Sequence, residues 1–443
     1  MTARKLLFSV GLALLALGLA ACDTGRKAPP KVEVRVLNAV PRYQSLDYRR
    51  VESMPATIDF KTGNAFTYDE DTYTFNVETF DAITGRPERI LSFPQKVVSG
   101  TTYTFVVYDA GTTIDRVVLE VPTIPTNATD VQVQGVHVGK DLPPVDFYLT
   151  APGTDLLATT PLGTVGFLQQ IAPRRMPAGP YEITVTSVGN PTNVLLKSST
   201  FNLDAARSIS FTITPDAGSS NQPFSVVAFG DVSNPFFNIQ APASLRVVNA
   251  PADQAPRDVA IDSQFSPPTF PAVPFATATA YGNIPAGRDV KINVTPAGNP
   301  GVLEVDATTL FSASVLYTMI VGGNPGALSY NLLLDDNRRY TKYGTVRFYS
   351  GATQIPSTLF FLFPTGTDIS TAAPLASVAA PGGSSQFPLP PGTYNLVLEN
   401  LDTASVVAGP IPITINAGGV YGVLATNNPN GVSADVTLLD DFK

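Results

Sequence analysis

The sequence predicts an all-β protein: four tandem Ig-like antiparallel β-sandwich domains behind a lipoprotein signal peptide. Three observations carry that reading. Short runs alternate apolar and polar residues at period two, turn signals interrupt them roughly every eight to twelve residues, and one set of landmarks recurs four times. No amphipathic helix is legible outside the first 21 residues.

The chain opens with Arg4 and Lys5, an apolar run from Leu6, and small residues leading to its one cysteine, which is the layout of an export signal. The run is shorter than the roughly 20 residues a spanning helix needs. Leu19-Ala20-Ala21-Cys22 resembles the bacterial lipobox. That resemblance implies transfer of a diacylglycerol to the Cys22 thiol, cleavage before Cys22, acylation of the new amine, chains of the palmitate type, and attachment to a lipid bilayer. Losing Arg4 and Lys5 moves the charge from −8 to −10, so acyl chains rather than charge would do the attaching. The expected localisation is the cell envelope, extracytoplasmic, with the outer membrane or cell surface ahead of the inner membrane.

Beyond a tether the repeats begin. Each opens on an alternating strand: Val34 to Ala39, Val133 to Val138, Leu245 to Ala250 and Val346 to Ser350. Taking Arg35, Gln134, Arg246 and Arg347 as equivalent gives spacings of 99, 112 and 101 residues. A second strand follows at Leu46, Val145, Val259 and Leu359. A Pro/Gly turn then feeds a strand at Pro177 to Tyr181, Ile284 to Val290 and Pro390 to Tyr394. A late strand starts at Tyr103, Ile209, Tyr317 and Tyr421, and repeats three and four both end in Leu-Leu-Asp-Asp. These landmarks divide the chain into a signal peptide at 1–21, a lipidated tether at 22–31, and sandwiches at 32–126, 127–235, 243–338 and 343–443. With one cysteine there are no disulfide staples, so each core must rest on its apolar faces.

Composition narrows function. Charged residues are 14% and apolar residues 44%, which excludes a disordered polyelectrolyte. The acidic balance excludes nucleic acid as an expected partner. One His and one Cys are too few for the common zinc sets, and G-x-S-x-G, P-loop, H-E-x-x-H and G-x-G-x-x-G patterns are absent. No enzyme activity, cofactor or metal is expected.

The stretch Val133-Gln134-Gly135-Val136-His137-Val138 through Val145-Asp146-Phe147-Tyr148 resembles the opening of the bacterial domain of unknown function 4397, whose members typically read V-R-V-V-H-A-S-P-D-A-P-A-V-D-V-Y. Arg246 to Pro256 is similar to the same motif, and Pro177 to Tyr181 to the family's later P-A-G-x-Y turn. The resemblance implies exported, tandem, Ig-like units without assigned chemistry.

His137 stands at the family's His position, while Asn38, Asn249 and Ser350 hold the equivalent place elsewhere. A shared proton-transfer role does not survive that replacement. A strand-end polar residue bonding the following loop explains all four, with a loop binding position as the alternative. Acidic clusters at Asp69-Glu70-Asp71, Asp335-Asp336 and Asp440-Asp441 leave calcium open, although none has EF-hand spacing. Tyr43, Tyr48, Tyr68, Tyr148, Tyr281 and Tyr340 fall near expected loops or edges, where exposed rings could stack on a ligand. The leading expectation is a non-catalytic, lipid-anchored spacer and interaction module, extended end to end, with envelope proteins or glycans as partners. The alternative is a surface lipoprotein that captures carbohydrate or peptide, which requires one repeat to carry a pocket that the other three lack.

Overall fold

Val32, Val34 and Val36 point one way along the first strand while Arg35, Leu37 and Ala39 point the other, and all six side chains are buried. A strand in a two-layer sandwich with one wet face should bury only alternate positions. The computed structural model, which describes residues 30–50, 53–431 and 433–442, shows why both sets are covered. Leu19, Ala20, Ala21 and Cys22, with the signal and lipidation reading they carry, lie outside the described residues.

Each repeat is a sandwich of two sheets. In repeat one, Gly63–Asp69, Lys31–Ala39, Thr101–Asp109 and Ile114–Pro122 form one sheet, in that order. Ala56–Asp59, Ser45–Arg50, Asp71–Phe80 and Pro87–Val97 form the other. The other repeats follow the same plan with additional short edge strands. Every pairing is antiparallel except one per repeat: the opening strand lies parallel to the strand that returns late in the repeat. The chain leaves the first sheet for the second, crosses back once for an edge strand, Gly63–Asp69 in repeat one, completes the second sheet and returns in its starting direction, so the two strands that open and nearly close the unit run side by side. Cores form between the sheets around Phe75 and Phe105, Phe147 and Phe211, Ile292 and Met319, and Phe348 and Phe360. The helical content named among the described elements is two 3₁₀ turns, Leu156–Ala158 and Ile369–Thr371, capped by the side chains of Asp155 and Asp368.

The extended string of separate sandwiches expected from the sequence is not what forms. Repeats one and two pack sheet against sheet, with Leu37, Ala39, Val106, Tyr108 and Leu119 meeting Val136, Val138, Val227 and Phe229. Repeats three and four do the same through Val248, Ala250, Ile320, Tyr349, Leu424 and Leu439. The physical reason is that the outward face of each opening and returning strand is itself apolar, and a face of that size is driven from water. Closeness is permitted by small residues: a Cβ at Gly351 would lie 2.4 Å from the Cβ of Ala250, and one at Gly63 would lie 2.6 Å from the Phe229 ring.

The segment 335–343, which straddles the expected boundary between repeats three and four, joins the two pairs. The Asn337 N–H donates to the Gly218 carbonyl at 2.9 Å and the Thr341 N–H to the Arg42 carbonyl at 2.9 Å. Arg338 sits 4.8 Å over the Phe60 ring, and Lys342 pairs with Glu88 at 2.7 Å. Beneath it Lys61 of repeat one is buried against Asp216 of repeat two and donates to Ser219 Oγ at 2.9 Å. Its ammonium also lies 4.8 Å from the Phe237 ring. Burial lowers the Lys61 pKa, and the Asp216 carboxylate opposes that shift.

Candidate functional site

The sequence-selected polar position lies at the end of each opening strand, and every copy is buried. Asn38 donates through Nδ2 to the Ile58 carbonyl at 2.9 Å and accepts the Val40 N–H at 2.9 Å. Asn249 donates to the Ala255 and Val273 carbonyls at 3.0 and 2.9 Å. His137 Nδ1 accepts the Gly139 N–H at 3.3 Å, which fixes the neutral tautomer with its proton on Nε2. Ser350 shares a 3.3 Å hydrogen bond with Thr358. Asn38, His137 and Asn249 tie their strand to the following loop, whereas Ser350 bonds a residue of the second strand, Ser357–Pro364, and the structure does not gather the four into one site. Burial lowers the His137 pKa below its ordinary value, outweighing the nearby Pro143 backbone.

The arginine column proves to be the more consequential equivalence. Arg246 of repeat three donates to Asp440 of repeat four at 2.6 Å, while Arg347 of repeat four pairs with Asp335 of repeat three. The two ion pairs are reciprocal, as in the self-complementary interface of a two-fold dimer, although both partners lie in one chain. Arg246 also donates to Thr318 Oγ1 at 2.7 Å and to the Tyr349 hydroxyl at 2.8 Å, and Tyr281 donates to Asp335 at 2.6 Å. Burial and the Asp335 charge together hold the Tyr281 hydroxyl protonated well above the ordinary tyrosine range. Repeats one and two lack this exchange: Arg35 donates to the Ser208 carbonyl at 2.6 Å, and Gln134 replaces the second arginine.

This network explains the repeated Leu-Leu-Asp-Asp ending. Asp335 and Asp440 hold the seam, Asp336 binds Arg338, and Asp441 binds Arg339. In the remaining acidic cluster Asp69 pairs with Lys31 at 2.6 Å and Glu70 accepts the Ser99 N–H at 3.0 Å. Among the described residues no group of three or more His, Cys, Asp or Glu is placed to hold a metal. The tyrosines offered as exposed rings are corrected by the packing: Tyr43, Tyr48, Tyr148 and Tyr340 are buried, and Tyr68 and Tyr281 are half-buried. Tyr43 and Tyr48 fold into the core of their own sandwich and Tyr68 packs against it, while Tyr281 and Tyr340 turn in to bond Asp335 and Asp336.

Two motif residues acquire roles that the sequence left blank. The aspartate of the second strand braces turns: Asp146 accepts the Thr164 hydroxyl at 2.5 Å and the Gly189 N–H at 2.7 Å. Asp258 likewise accepts the Ala272 and Gly298 N–H groups at 2.6 and 2.8 Å. Repeat four has Leu359 there, and its face is apolar instead, with Phe361, Phe363 and Val397 under Ile369 and Ala372. The tyrosine of the Pro/Gly turn bonds the carbonyl four residues back, Tyr181 to Pro177 at 2.9 Å and Tyr394 to Pro390 at 2.8 Å. The regular four-residue spacing was the available signal.

Fold and site together define an all-β tandem-repeat protein whose shared polar residues are structural braces. The chain belongs to the family described as Domain of unknown function (DUF4397), which matches residues 32–148 and 243–359, just over half of its length. Each matched segment spans one sandwich and continues into the first two strands of the next. No curated protein matches the chain. One solved structure, the Bacillus anthracis TIE protein, is similar at 10% identity with a TM-score of 0.15; the match covers 86% of this chain and 66% of that one. A likeness of that size carries no argument.

Proposed function

We propose that this chain is a non-catalytic envelope protein, anchored through acylated Cys22, whose four sandwiches act as one stiff interaction body. The observation that supports this most directly is the use of the shared polar positions. Arg246, Arg347, Asp335 and Asp440 close the seam between sandwiches, and Asn38, His137 and Asn249 close loops. Residues spent in that way supply rigidity and register rather than a reacting group. Face-to-face pairing also gives a shorter, stiffer stalk than an end-to-end string and presents the outer sheets and loops to partners such as envelope proteins or glycans.

The lipid anchor is tested by metabolic labelling with an alkyne fatty acid. The expected result is label on the natural chain, none on Cys22→Ser, and release of the Cys22→Ser chain from the membrane fraction. Label on Cys22→Ser, or its unchanged retention in membranes, refutes the anchor. The stiff body is tested separately by small-angle scattering of the chain. A maximum dimension matching four sandwiches in a row refutes it.

A further inference from the structure

In repeats one, three and four the returning strand begins with a tyrosine whose hydroxyl accepts a backbone N–H five residues upstream. The pairs are Val98 to Tyr103 at 3.2 Å, Ser312 to Tyr317 at 3.1 Å and Asn416 to Tyr421 at 2.9 Å. This is the tyrosine corner of Greek-key sandwiches, with the ring plugging the end of the unit. Strand register identifies the equivalent in repeat two. Tyr103 stands opposite Val34, Tyr317 opposite Leu245 and Tyr421 opposite Val346, and Ile209 stands opposite Val133.

Isoleucine supplies neither the ring nor the oxygen. The N–H five residues upstream, that of Asp204, has no acceptor among the described residues. The neighbouring strand is also cut short. Tyr103, Tyr317 and Tyr421 each face a residue of the last strand, whereas in repeat two that strand stops with Phe229 opposite Ser210. What remains is a crevice of about 240 Å³ between the edge strands Phe201–Leu203 and Ser233–Phe236. Its apolar side is lined by Phe201, Leu203, Ile209, Ala228 and Phe236, and its polar side carries Asp204 and the Arg207–Asp231 ion pair.

We propose that this crevice binds a small para-substituted phenol, the ring taking the apolar walls and the phenol oxygen accepting the Asp204 N–H. The occupant is read from the protein itself, since three sibling sandwiches fill the same place with that chemical group. The volume suits one substituted ring, given that an apolar protein cavity of about 150 Å³ admits benzene.

The test titrates 4-methylphenol, toluene and the tripeptide Gly-Tyr-Gly into the full chain, reading saturable binding by ligand-observed NMR. The expected result is that 4-methylphenol binds, toluene binds about fivefold more weakly for want of the oxygen, and Ile209→Tyr weakens 4-methylphenol at least tenfold by restoring the plug. Ala228→Leu, which narrows the crevice from the strand beside Ile209, should weaken it in the same direction and serves if Ile209→Tyr does not fold. Absence of saturable 4-methylphenol binding, equal affinity for toluene, or affinity unchanged in the folded variants overturns the proposal. Tighter binding of the tripeptide also overturns it, in favour of a peptide site.

Discussion

Phe229→Ala separates a packed pair from a loose string. Phe224 and Val226 face the core of repeat two, so Phe229, an odd number of residues from Val226, faces away from it. In an end-to-end string that ring would be wet, and truncating it would change stability by no more than about 0.5 kcal/mol. Here Phe229 is fully buried against repeat one, its ring lying over Gly63, where no side chain can follow to refill the space. Loss of a buried phenyl ring with its cavity left open costs about 3–5 kcal/mol. The assay is urea unfolding of the soluble chain, reading the transition that carries repeats one and two, because a multidomain chain need not unfold in one step. A cost below about 1 kcal/mol with an unchanged slope would refute the seam.

Three further outcomes follow from the same geometry. Arg347→Ala leaves Asp335 buried with its principal partner gone and should cost about 3–5 kcal/mol; a loss under 1 kcal/mol in urea unfolding contradicts that account. Tyr421→Phe orphans the Asn416 N–H and should cost about 1 kcal/mol, whereas a stability equal to that of the natural chain shows the corner to be ornamental. His137 is neutral in the fold with its pKa depressed below 6.5, so the unfolded chain binds its proton first as pH drops. Its contribution is complete above about pH 6.5 and is lost as pH falls below that toward the folded value. His137→Asn, which installs the residue of repeats one and three, should flatten the stability profile between pH 7 and 5; an unchanged profile removes His137 from the account.

Much of the fold was legible because a sandwich is written locally. Val32, Val34 and Val36 announce an inward face by period two, and the Pro177 to Tyr181 turn announces a corner by its proline and glycine. The strand-end role shared by Asn38, His137 and Asn249 was legible for the same reason, since their loop partners lie close in sequence. The seam was less so. Arg246 and Asp440 are 194 residues apart, and nothing local distinguishes an arginine facing water from one facing a sibling sandwich. The signal that existed was correlated: arginine in the opening strand and an Asp-Asp ending occur together in repeats three and four. Likewise Ile209 reads as one more strand residue until Tyr103, Tyr317 and Tyr421 are seen doing the same job in three dimensions.

By itself the amino-acid sequence determined that the chain is all-β, that its unit recurs four times, and which strand faces are apolar, because those properties depend on neighbours within a few residues. Only the tertiary structure decided which apolar faces meet, which acid each arginine takes, and which sandwich is left unplugged. Those choices are made between surfaces far apart along the chain. Burial selects them through shape and charge fit, and no short window of sequence contains both halves of the fit.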